Sequence, residues 1–185
     1  MLKQVRRRQG VRRRRIVTAC GRSAAAPRGV VRLGVLYLPC ALGKGGRRTR
    51  KREGDGATPI GCWKLVRVLY RADRVKRPAT RLPVKAIGRD DGWCDAPADR
   101  NYNRFVRLPY PASAESLWRT DHLYDVVVVL SHNSKPRVRG GGSAIFMHIA
   151  RAGYAPTEGC VAPRREHLLM LLKRLGAHAA LRVLP

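Results

Sequence analysis

One histidine and one cysteine carry most of the chemistry legible in this chain. The stretch from His148 to Val161 reads HIARAGYAPTEGCV. His148 ends an apolar, strand-like run, and the segment between it and Cys160 carries turn residues such as Gly153 and Pro156. A thiol beside an imidazole is the pairing used for nucleophilic acyl transfer, because the base takes the thiol proton and later returns it to a leaving group. The turn Thr157-Glu158-Gly159-Cys160 runs toward a helix predicted a few residues on. The positive end of that helix would favour thiolate. Gly159 leaves room for a tight turn, and the backbone N–H groups of Gly159, Cys160 and Val161 are the natural donors to a developing oxyanion.

The remaining reactive residue types fit blander roles. Five cysteines occur, at 20, 40, 62, 94 and 160, with no C-x-x-C and no H-E-x-x-H, so neither a zinc pattern nor a disulfide ladder is present. Cys40, Cys62 and Cys94 read as small apolar core residues. His132 either lines the site or satisfies the end of a strand. Asp55 and Asp95 are loop carboxylates that either serve the site or face water, and His122, His167 and His178 read as structural or exposed.

These residues need a scaffold, and its pieces are mostly strands. Val30–Leu38, Trp63–Tyr70, Asp125–Leu130 and Ser143–Ile149 have strand composition, and Leu181–Leu184 would be a closing strand. Residues 71–119 are rich in Pro, Asp, Asn and aromatics and predict long connections with short strands. One helix is predicted, from Pro163 in its first turn through Leu168, Leu171, Leu172 and Leu175 at helical spacing, to Gly176. Strands do not alternate with helices, which excludes a doubly wound parallel sheet. The expectation is a mainly β domain over residues 29–185 with one or two packed helices.

Residues 1–28 read differently. They are Arg-rich and acid-free, and Ile16–Cys20 is too short for the apolar core of a secretory signal, roughly 7–15 residues. The expectation is a solvated, disordered basic tail. Across the chain 39 basic residues face 12 acidic ones, a net charge of +27. Such a field attracts any polyanion. Only two Phe occur and the predicted helix has an ordinary apolar face, so neither a stacking platform nor a recognition helix is evident and no specific nucleic-acid partner is expected. No apolar run is long enough to span a bilayer.

Thr157-Glu158-Gly159-Cys160-Val161, with a strand-borne His upstream, resembles the catalytic signature of the YkuD-type L,D-transpeptidase family. Asp55-Gly56-Ala57-Thr58-Pro59-Ile60-Gly61-Cys62-Trp63 resembles the family's Thr-Pro-x-Gly-x-aromatic element. Ser131-His132-Asn133 and Asp91-Gly92-Trp93-Cys94 look like further elements of a bacterial subgroup. The similarity covers the chain from about Val30 to the C-terminal helix. It implies a β-sandwich or partly open barrel, Cys160 as nucleophile, His148 as base, and no metal or organic cofactor. It also implies peptidoglycan stem peptides as substrates, carbapenems as inhibitors, and a place in the periplasm or cell envelope. Two positions depart from the pattern. Ile149-Ala150 follow the His where Gly-Thr is common, and Ala162 stands where many members carry Arg, leaving Arg164 or Arg165 as substitutes for substrate contact. Thr157 is a further lining candidate. The same residues with water as acceptor would make an L,D-carboxypeptidase or another thiol hydrolase of the wall. A papain-type enzyme, with Cys before His, does not fit the order here.

Overall fold

The computed structural model describes residues 15–185. Its strands are β1 (Ile16–Gly21), β2 (Arg28–Leu33), β3 (Leu36–Ala41), β4 (Arg47–Arg48), β5 (Thr58–Pro59), β6 (Gly61–Tyr70), β7 (Val84–Ala86), β8 (Asp91–Cys94), β9 (Arg104–Arg107), β10 (Ala114–Ser116), β11 (Val126–Leu130), β12 (Phe146–His148) and β13 (Ala162–Pro163). The helix α1 (Arg165–Arg174) and a last strand, β14 (Ala180–Val183), follow.

The main sheet runs β12-β11-β6-β14-β1-β2-β3-β13, with β7 added beside β6. Its two ends meet. Met147 in β12 bridges Val161, and backbone bonds run from His148 N–H to Val161 O, Val161 N–H to Phe146 O and Ala150 N–H to Pro163 O. The result is a nearly closed, barrel-like β fold, mainly β as the strand pattern predicted and barrel-like as the family resemblance implied. A small sheet, β10-β8-β9, lies apart from it.

β11 explains why its sequence is apolar at every position. Val126, Val128 and Leu130 enter one core while Val127 and Val129 enter another, so both faces are covered. The first core packs α1 through Leu168, Leu171 and Leu172 against β1, β6, β11 and β14. The second joins Leu69, Leu117, Tyr124 and Phe146, with Trp93 of β8 against it. Glu166 in the first turn of α1, and Lys173 and Arg174 in its last, oppose the helix dipole with the favourable sign.

Five expectations need correction, the simplest being Cys62, which is exposed on β6 rather than part of the core. Residues 15–28 are not tail: β1 lies between β14, with which it is parallel, and β2, with Val17 and Ala19 fully buried. Arg47 secures its end, donating from Nε to Leu184 O (2.8 Å) and from Nη2 to Gly21 O (3.4 Å). A run of only two inward apolar residues, preceded by seven arginines, hides a strand from any periodicity reading. The rest of the expected tail, residues 1–14, lies outside the described residues. Val30–Leu38 is a hairpin rather than one strand, because Gly34 turns the chain at φ +59°. The Ser143–Ile149 strand shortens to Phe146–His148, since Ala144 takes a left-handed backbone at φ +49°. Pro163 is in β13, paired to Cys40, rather than in the helix.

Candidate active site

The seam where the sheet closes brings His148 and Cys160 together. Both line one cavity of about 510 Å³, with Thr157, Tyr124, Glu115, Arg119 and Arg151 among its other walls. The β12 strand carries His148 and Phe146 on one face, two residues apart. Cys160 reaches that face from the opposite edge of the seam. Its Sγ accepts from Phe146 N–H (3.4 Å) and donates to Ala144 O (3.3 Å).

The turn before Cys160 is fastened from within. Thr157 Oγ1 donates to Cys160 O (2.7 Å) and accepts from Gly159 N–H (3.2 Å). Gly159 has φ +130°, and a side chain there would begin 2.7 Å from Ala57 O, so the turn needs glycine on both counts. Ala57 is itself held by Asp55, which accepts from its N–H (2.9 Å). The upstream Thr-Pro element therefore acts as the wall on which the Gly-Cys turn rests. Asp55 braces that wall and is not part of the cavity lining.

The expected oxyanion donors are only partly available. Gly159 N–H is taken by Thr157 and Val161 N–H by Phe146 O, whereas Cys160 N–H has no acceptor among the described residues. Of the three backbone donors, Cys160 N–H alone is uncommitted. The expectation of a thiolate-favouring helix end also needs correction. β13 separates Cys160 from α1, and burial pushes the Cys160 thiol up to about 12. Burial likewise lowers His148 to about 4, against a smaller opposing effect of its bond to Ile149 O. Cys160 is 7% exposed and His148 6%. At neutral pH the resting pair is thus a thiol and a neutral imidazole. His148 Nδ1 lies 2.9 Å from Ile149 O, an acceptor only, so Nδ1 carries the proton and Nε2 keeps a lone pair.

Tyr124 packs its ring edge-on against His148, with centroids 5.4 Å apart, and donates its hydroxyl to Glu115 Oε1 (2.8 Å). Arg119 grips Asp121 with Nε and Nη2 (2.8 and 2.7 Å) and reaches Glu115 with Nη1 (3.4 Å). Sequence reasoning missed Glu115, Arg119, Tyr124 and Arg151. The first three stand far from the His–Cys segment in sequence and share no motif with it. Arg151 is three residues after His148 and a spacing argument would have flagged it.

Among the other expected lining residues, Thr157 and Asp95 border the cavity, while His132 and Arg164 do not. His132 is buried, with Nε2 2.9 Å from Gly141 O and its ring edge-on to Trp63. The Arg164 guanidinium lies over the Tyr154 ring instead. The Asp91–Cys94 element supports the site from behind, since Trp93 packs edge-on against Phe146.

The fold and this seam define a mainly β domain with a Cys–His pair at its closure. A family model for the YkuD L,D-transpeptidase catalytic domain matches residues 28–179, and the chain belongs to that family. Its members act on peptidoglycan peptides and are associated with the cell envelope. Searches of curated proteins and of solved structures each returned no significant match. Among the described residues no helix is long and apolar enough to cross a membrane.

Proposed function

We propose that the protein is a peptidoglycan L,D-transpeptidase of the cell envelope, with Cys160 as nucleophile and His148 as acid and base. A stem peptide enters the cavity and its diaminopimelate–D-alanine carbonyl meets Sγ. The S–H turns from Ala144 O to Nε2 of His148, which takes the proton as the C–S bond forms. Cys160 N–H donates to the oxyanion. The C–N bond then breaks, and the imidazolium returns its proton to the departing D-alanine amine, leaving a thioester. An acceptor amine attacks the thioester, Nε2 takes its proton, and Sγ leaves and is reprotonated.

The observation that carries this reading is the shared cavity wall of Cys160 and His148, with Nδ1 of the histidine held by Ile149 O. The neutral resting pair fits a nucleophile activated only when substrate is in place. Intact-mass spectrometry tests the reading. A carbapenem and a tetrapeptide stem should each leave an adduct mapping to Cys160, the second with release of D-alanine. Cys160→Ser should remove both adducts, and His148→Gln should slow acylation by roughly 10²- to 10⁴-fold. Folded, reduced protein that forms neither adduct would sink the proposal.

A further inference from the structure

Ala162, two positions after the cysteine, carries no charge and does not line the cavity. It is fully buried in β13, paired to Ala41, and Arg164 is turned onto Tyr154. Two guanidinium groups line the cavity that holds Cys160 and His148, those of Arg119 and Arg151. Arg119 is already committed, with two donors on Asp121 and a third facing Glu115. Arg151 is exposed, and among the described residues its side chain has no hydrogen-bond or ion-pair partner. Its charge is nonetheless felt at both His148 and Asp121. A guanidinium at the mouth of a reactive cavity, close enough to influence the base and with all its donors free, suits a bidentate anion.

We infer that Arg151 is a specificity-determining residue that receives the free C-terminal carboxylate of the donor peptide. This inference rests on the transpeptidase reading, in which the leaving residue is a terminal amino acid whose carboxylate lies one carbon from the scissile nitrogen. Gripping that carboxylate sets the scissile bond against Sγ and makes the enzyme cleave at chain ends. An internal peptide bond offers no such anion.

The test compares two tetrapeptide stems, one ending in a free D-alanine carboxylate and one in its amide. For wild-type protein the acid should acylate Cys160 with a kcat/KM about 10- to 100-fold above the amide, the range of a charge-assisted hydrogen-bonded pair. Arg151→Gln should bring that ratio close to one, and Arg151→Lys should restore part of it. A ratio is read within one variant, so a general loss of activity does not imitate the effect. A wild-type ratio near one, or a preference that survives in Arg151→Gln, overturns the inference. Calorimetric binding of the same two peptides to Cys160→Ala keeps the two ideas apart. An acid preference there that needs Arg151, without acylation of wild-type protein, would uphold the carboxylate site and reject the proposed reaction. Equal binding of acid and amide would reject the site itself.

Discussion

The two faces of β11 support two cores built to different specifications. On the helix side the buried contacts are nearly all aliphatic, from Val17 of β1 to Leu172 of α1, with Cys40 and Met147 the softest members. On the site side aliphatic residues mix with the aromatic rings of Tyr124 and Phe146 and with the reactive thiol of Cys160, and Trp93 packs edge-on against Phe146. Charged groups crowd this second core, since Glu115 and Arg119 share its edge with the cavity. The first core can be optimised for burial alone. The second must hold a thiol and an imidazole out of water, so its stability depends on protonation as well as packing. Changes on the helix side should therefore act on the fold first, and changes on the site side should act first on reactivity and on pH dependence.

The largest expected effect is on the helix side. Removing residues 1–28 takes β1 from between β14 and β2 and opens the sheet through its middle. Small domains are stable by roughly 5–15 kcal/mol, and losing a central strand exceeds that reserve. The truncated chain should show no cooperative thermal transition. Val17→Asp, which places a carboxylate at a fully buried position, should be nearly as damaging. Truncated protein that melts like the full chain would break the comparison, because the helix-side core would then not require its own strand.

This strand marks where sequence reading stops. The His148–Cys160 segment was legible because its function sits in contiguous residues, Thr157 to Val161, whose turn chemistry is local. The strands β6, β11 and β14 were legible from apolar composition. β1 is a strand because β14 and β2 complete its hydrogen bonds, and no local pattern announces neighbours that lie 12 and more than 160 residues away. The thiol's pKa was misjudged for a related reason. Proximity to a helix start can be counted along the chain, but the burial that dominates Cys160 comes from Phe146, Tyr124 and Ala144, which meet it only in the fold. The same holds for the oxyanion donors, since pairing across the seam consumes Val161 N–H.

The next effect belongs to the site side and is read by pH. His148 falls from 6.5 when unfolded to about 4 when folded. Above pH 6.5 both states hold it neutral. As the pH falls below that, the unfolded chain binds a proton that the folded chain refuses, so stability declines until about pH 4. The shift corresponds to about 3 kcal/mol. Cys160 acts at the other end, because its thiol ionises near 9 when unfolded and about 12 when folded, so stability declines as pH rises across that window. Urea denaturation across pH should show His148→Gln flattening the acid limb relative to wild type, and Cys160→Ser flattening the alkaline limb. Cys40, also pushed up to about 12 by burial, should leave a residual alkaline slope in the second variant. An acid limb identical in wild type and His148→Gln would mean that the site-side core does not exclude the imidazolium.

The smallest effect separates what fastens the reactive turn from what decorates it. Lys44 Nζ and Glu158 Oε1 form an ion pair at 2.9 Å across the turn, but their side chains are 59% and 73% exposed. Exposed pairs of this kind contribute about 0.2–1 kcal/mol and are screened by salt. The backbone of the same lysine matters more, since Lys44 N–H donates to Thr157 O (2.8 Å) and Thr157 N–H donates to Leu42 O (2.9 Å). Those bonds survive any side chain at position 44 other than proline's. Thr157 Oγ1, buried between Gly159 N–H and Cys160 O, has no such substitute. Lys44→Ala should therefore change unfolding free energy by no more than about 0.5 kcal/mol, with no change in the rate at which a carbapenem acylates Cys160. Thr157→Val, nearly the same shape without the hydroxyl, leaves two backbone groups unpaired and should cost about 1–3 kcal/mol while slowing acylation, because the turn that aims Cys160 loosens. If Lys44→Ala proved the more damaging of the two, the turn would be held by its surface charges rather than by the buried hydroxyl, and the site-side core would owe less to burial than its geometry indicates.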